Sequence, residues 1–327
     1  MKEILKKVYV KGRKVKKEDG LRTIFIIFIF VFSSEAILYL FEYRNPNYEP
    51  YNWGSRNEIS YKINECKKLF EENQNKTKIL LFGDSVGEMM FNPLQIDLKS
   101  KNKTISYNMA FEGVGIRFES FLINLTLKIL NPNIIIWQFG HQDFFGLSDI
   151  NDITLLNTPI GRYHQKNWIE TSPVEKNLLD YSRIYRYRIF DIPYHLFQYY
   201  QYNRFFENGF RSSIQMMDHF ETFKIDVYNK TYIQSVESIF NNTLKFLDKE
   251  KVDYFMTSGP IYNTKIIFDK FDHLTQNLPS NKYLDLLENP SFNYTHFSNT
   301  YHLNKFGAEI ATKQIFNFVE DNFSSFF

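Results

Sequence analysis

The chain has 327 residues, 43% of them hydrophobic and 18% aromatic, which is ample for one large core and excludes a disordered polymer. The net charge is only +2; residues 1–22 hold nine Lys/Arg against three Asp/Glu, leaving 30 against 34 beyond them, so the basic excess is an N-terminal tag and not a nucleic-acid face. Cys66 is the only cysteine, which excludes an intramolecular disulfide and a thiolate metal site. The sequence has no phosphate-loop or dinucleotide fingerprint, so neither a metal nor a cofactor is expected.

The tag leads into Thr23–Phe41, 19 residues, about the length of a bilayer span. Ser33-Ser34-Glu35 interrupts it after nine unbroken apolar residues, a length that also suits the core of a cleavable signal peptide. The signal anchor is the favoured reading, because the basic region is long and apolar residues resume at Ile37, Leu38, Leu40 and Phe41. That reading makes 1–22 a cytoplasmic tail, 23–41 a single-pass transmembrane anchor in the cell membrane and 42–57 a turn-rich linker; residues 58–327 become an extracytoplasmic domain. Glu35 within a span points to a membrane partner, or else lies near the outer headgroups.

Beyond the linker, apolar runs and helical periods alternate. Residues 78–83 read as a strand buried on both faces, "TISYNMA" as a second, and Val114–Leu130 as a helix with Phe118, Phe121, Leu122, Leu125 and Ile129 on one side. "NIIIWQFG" from Asn133 is a third strand. Ile233, Val236, Phe240, Leu244 and Leu247 line a helix that leads into a fourth, "VDYFMTSGP". A last helix runs from Lys305 to about Phe318. This alternation predicts an α/β fold, a three-layer α/β/α sandwich around a parallel sheet of the flavodoxin-like kind. Between about 150 and 231 the pattern breaks into a run dense in Tyr, Phe and Arg, read as a cap inserted over the sheet. Its rings either face a glycan or the membrane interface, or form the insert's own core.

In open parallel sheets ligands gather beyond the carboxyl ends of the strands, so the residues placed there are the candidates. After the first strand comes Gly83-Asp84-Ser85, where Ser85 is either an ordinary helix cap or a nucleophile. After the second comes Asn108 to Gly115, and after the third Gly140 to Phe144. His302 precedes the last helix. A serine hydroxyl needs a neighbouring imidazole to take its proton, and the oxyanion it creates needs preorganised donors.

These four blocks, in this order, resemble the SGNH or GDSL-type serine hydrolases and acyltransferases. Gly83-Asp84-Ser85 is matched in full, which implies Ser85 as nucleophile. Asn108-Met109-Ala110-Phe111-Glu112-Gly113 implies Gly113 as an oxyanion-hole donor beside the Ser85 N–H, with the helix dipole adding to it. Gly140-His141-Gln142-Asp143 places Gln142 where the family has an oxyanion Asn; Gln keeps the donor on one more methylene. Asn299-Thr300-Tyr301-His302 keeps the base, His302, but has Asn299 in place of the family's Asp. The amide oxygen of Asn299 is then expected to accept the imidazole N–H without stabilising imidazolium as a carboxylate does. His296 is a rival base and Asp272 a rival orienting acid. Asp84 is assigned to shaping the turn, and His141 and Asp143 to shaping the pocket. "HLNKFGAE" after the base looks like the ending of membrane-anchored, DltD-like or alginate-acetylation-like members. The resemblance therefore implies transfer of an acyl group, most plausibly acetyl, from an acyl donor or a membrane acyltransferase partner to a surface polysaccharide or related envelope polymer. An extracytoplasmic carbohydrate esterase and a non-catalytic glycan-binding or scaffold protein are the alternatives.

Overall fold

The computed structural model of the chain describes residues 17–44, 58–140, 143, 182, 208–214, 216, 230–262, 275, 278–287 and 289–323. The inserted cap expected over about 150–231 lies almost wholly outside the described residues.

The N-terminal apolar run forms α1, Lys17–Arg44, longer at both ends than the span read from sequence. Its stretch Gly20–Leu40, 21 residues with mean hydropathy 2.2, is about 30 Å long, enough to cross a membrane, and none of it is buried by the rest of the chain. Ile24 to Phe32 all point outward, and Ser33-Ser34-Glu35 interrupts the apolar surface, with Glu35 Oε1 accepting the Ser182 hydroxyl. Ser182 thus meets the one carboxylate of the Gly20–Leu40 stretch, a group that would be costly in hydrocarbon.

Five strands, β1 (Thr77–Phe82), β2 (Thr104–Asn108), β3 (Ile134–Phe139), β4 (Asp253–Ser258) and β5 (Tyr283–Leu284), form one sheet in the order β2-β1-β3-β4-β5. Every pairing is parallel, with Leu80 opposite Tyr107 on one side of β1 and opposite Ile135 on the other. β5 has only two residues, too short to show a period, which is why the sequence does not reveal it.

Alternate residues of each strand enter different cores. Leu80, Phe82, Ile135 and Trp137 pack with α2 (Glu58–Glu72), α5 (Ile116–Leu130) and α6 (Lys230–Glu250) through Phe70, Phe121, Leu122, Val236 and Phe240. Ile79, Leu81, Ile134 and Ile136 pack on the opposite face. There they meet α3 (Ser85–Met90), α4 (Pro93–Lys99) and α7 (Lys305–Asn322) through Met90, Ile96, Ala311, Ile315 and Val319. Each fully buried Leu, Ile or Phe contributes about 1.5–3 kcal/mol, so both faces must be covered, and the three layers follow. The strand order reverses between β1 and β3, which puts the ligand crevice at their carboxyl ends.

Candidate active site

The chain leaves β1 through Gly83, where a Cβ would lie 2.4 Å from Gln138 Oε1, so a larger residue would have to displace that amide. Asp84 then caps α3: its Oδ1 accepts the Val86 N–H at 2.8 Å. The capping role weighed for Ser85 in the sequence falls to Asp84. Ser85 becomes the first helical residue, half-buried, and its Oγ lies 2.7 Å from Nε2 of His302, 217 positions away.

The second block is bound to α3 from beneath. Asn108, at the end of β2, donates through Nδ2 to the carbonyls of Gly87, Glu88 and Phe91 at 3.0–3.2 Å, while its Oδ1 accepts the Ala110 N–H. Main-chain pairing continues past the strand, with Met109 N–H on Leu81 O and Phe111 N–H on Gly83 O. Gly113 follows in the left-handed region at φ 69°, which favours glycine.

Under this loop lies an ion pair sealed from water. Lys62 of α2 and Glu88 of α3 are 0% and 1% exposed, with Nζ 3.1 Å from Oε1; Nζ also donates to the Ala110 carbonyl and sits 4.5 Å above the Phe111 ring. Arg211 completes the cluster, 3.0 Å from Glu112 and 3.7 Å from Glu88.

The third block is only partly described. His141 and Gln142 lie outside the described residues, as does Asp272. Asp143 is buried and folds back on its own turn, Oδ2 accepting the Gly140 N–H at 2.7 Å.

His302 stands on a short hairpin closed by a bridge between Phe297 and Leu303. Asn304 caps α7 immediately after it, accepting from the Phe306 and Gly307 N–H groups. α7 is tied to the end of α3 by Thr312, whose hydroxyl donates to Met90 O and accepts from Asn92 N–H. That tether joins the imidazole to the hydroxyl across the sheet's rim. His296 has its Nδ1 accepting the Asn293 N–H in the capping box of the turn Tyr294–His296.

Asn299 meets the ring differently from the expectation. Its Oδ1 accepts the N–H groups of Tyr301 and His302 at 3.0 and 2.9 Å, and its Nδ2, not the oxygen, lies 2.8 Å from His302 Nδ1. Burial holds the His302 imidazole below its ordinary range; Asp84, Glu112 and Glu88 pull it upward and Arg211 pushes it further down.

A strap over 208–213 is the part of the site that sequence reasoning missed. Asn208 O accepts from Asn108, the Arg211 N–H reaches Glu88 O, and Ser213 O accepts from Lys305, so one segment touches the second block and the helices that follow the first and the fourth. Gly209, at φ 79°, has no room for a side chain: a Cβ would meet Asn108 O at 2.0 Å. The Asn208-Gly209 pair is a turn signal in the sequence, but it sits at the end of an aromatic run whose period is unreadable. Lys62 gave no signal, since nothing local distinguishes it from the other lysines of α2.

No family model and no curated protein matches the chain. Among solved structures, a GDSL-like lipase from Bacteroides thetaiotaomicron is similar at 12% identity, covering 78% of this chain and 98% of that one with a TM-score of 0.27. A putative acylhydrolase from Bacteroides fragilis is similar at 12% identity, covering 78% and 96% with a TM-score of 0.26. At such scores neither neighbour bears on function.

Proposed function

We propose that the chain is a membrane-anchored serine acyltransferase of the SGNH type that moves an acyl group, acetyl in the first instance, onto a surface polysaccharide or related envelope polymer. The observation that carries this reading is the 2.7 Å approach of His302 Nε2 to Ser85 Oγ at the carboxyl rim of a parallel sheet. Ser85 Oγ attacks the acyl carbonyl as its proton passes to Nε2. The imidazolium returns that proton to the departing oxygen, leaving acyl-Ser85; an acceptor hydroxyl then gives its proton to Nε2 and takes the acyl group, while the acyl–Oγ bond breaks and Ser85 Oγ recovers the proton from the imidazolium. The Ser85 and Gly113 N–H groups with the Gln142 amide are the proposed oxyanion donors. The apolar helix α1 supports anchoring, with the folded domain outside the membrane and an acyl donor or membrane acyltransferase delivering the group. The anchor and the sequence resemblance to the DltD-like and alginate-acetylation-like branch favour a sugar acceptor over water.

A serine-reactive phosphonate applied to the detergent-solubilised full chain tests the nucleophile: labelling that disappears in Ser85→Ala supports the enzyme. Acetylation of the surface polymer, compared in cells with and without the gene, separates the chemistries. A fall on deletion supports transfer, and a rise supports the esterase. The glycan-binding reading draws on the amide at Asn299 and requires that the folded chain take no label at all.

A further inference from the structure

The hydrogen bonds around Asn299 determine where the proton of His302 resides. The atom facing the backbone N–H groups of Tyr301 and His302 must be the amide oxygen, because both partners are donors. The atom 2.8 Å from Nδ1 is therefore the NH2 group, which only donates, so Nδ1 must be the acceptor. A neutral imidazole with an accepting Nδ1 has its one N–H at Nε2, and Nε2 faces Ser85 Oγ. A carboxylate in this position would behave otherwise: one oxygen would take the two backbone groups and the other would take Nδ1–H.

We infer that Asn299 is a positioning residue that holds His302 at rest as the Nε2–H tautomer, so that the ring donates to Ser85 Oγ and the site is switched off as a base. This rests on the reading of Ser85 as nucleophile. Activation requires that Nε2 release its proton to solvent and that Nδ1 take one up, with the Asn299 amide turned over so that Oδ1 accepts it. The turn removes the acceptor from two backbone N–H groups, and because Asn299 is exposed, water reaches both the amide and the exchanging proton. No proton is gained or lost overall. The rate of attack by Ser85 is reduced by the fraction of sites in the active tautomer. Asn299→Asp would remove the constraint while preserving shape and the backbone hydrogen bonds.

The test uses the full chain in detergent with 15N-labelled histidine, His302 being identified by the resonances lost in His302→Gln. Above the pH at which the ring titrates, the wild type is expected to show Nδ1 bare and Nε2 protonated, and Asn299→Asp the reverse. Phosphonate labelling of Ser85, and turnover of an activated acetyl ester, should rise in Asn299→Asp by on the order of 10⁴-fold. A wild-type ring protonated at Nδ1 overturns the inference, as does an inverted tautomer in Asn299→Asp with no gain in labelling rate. If neither chain labels while the tautomers are as expected, the assignment of the proton stands and the enzymatic reading falls. The wild-type spectrum decides the tautomer even if Asn299→Asp fails to fold.

Discussion

The two halves of the candidate site are held in opposite ways. The Ser85 side is gripped from inside the protein, by the sealed Lys62–Glu88 pair and by the four hydrogen bonds of Asn108. The His302 side rests on a half-buried hairpin whose one exposed residue, Asn299, orients the ring, with Asn304 and Thr312 tying the following helix to its surroundings. Burial makes the first half rigid and coupled to stability. The exposure of Asn299 leaves the second adjustable at that amide, so chemistry can change there with little effect on folding.

Mutations should separate the halves. Ser85→Ala and His302→Ala should each lower phosphonate labelling or turnover by on the order of 10³-fold or more with melting temperatures unchanged, because each touches the reacting atoms and little else. Lys62→Met should cost about 3–5 kcal/mol by leaving Glu88 buried with only the half-exposed Arg211 as cation, a fall of about 10 °C in thermal unfolding. Adding Glu88→Leu should recover most of that loss; a double variant as unstable as the single would show that the pair is not what holds α2 to α3. Asn108→Ala strips the Phe91 carbonyl and the Ala110 N–H of their partner, while Gly87 O and Glu88 O keep backbone donors; it should cost about 2–4 kcal/mol and also lower the labelling rate by releasing the Gly113 loop.

Smaller effects should appear in pH dependence. His302 must be neutral to act as a base, and burial lowers its pKa from 6.5, so the rate should hold at that pH and fall only as pH drops through the lowered value. Between those two values the unfolded chain binds the extra proton, so the same group makes stability rise with pH over that window. Arg211→Gln removes a cation that disfavours imidazolium, so the acid limb of a kcat/KM profile should move up, by a modest amount because the guanidinium is 47% exposed. An unmoved limb would mean that Arg211 serves the strap and not the ring's charge.

The chain's own pattern determined the layers and the positions of the candidate groups. The continuous runs at 78–83 and from Asn133 could be stable only between two covers, and the helical stripes at 114–130 and 233–247 supplied one of them. Residues at strand ends were readable because a run of buried types stops abruptly where the backbone turns. The tertiary structure alone decided what those residues do to one another. Lys62 became a buried cation through the packing of α2 against the Asn108–Gly113 loop, the strap at 208–213 joined three segments distant in sequence, and the amide of Asn299 met Nδ1 through its nitrogen. Hydrophobic period is a local property carried by neighbouring residues. Hydrogen-bond direction is not: two backbone donors claim the one oxygen of Asn299, and that competition exists only once the hairpin has closed.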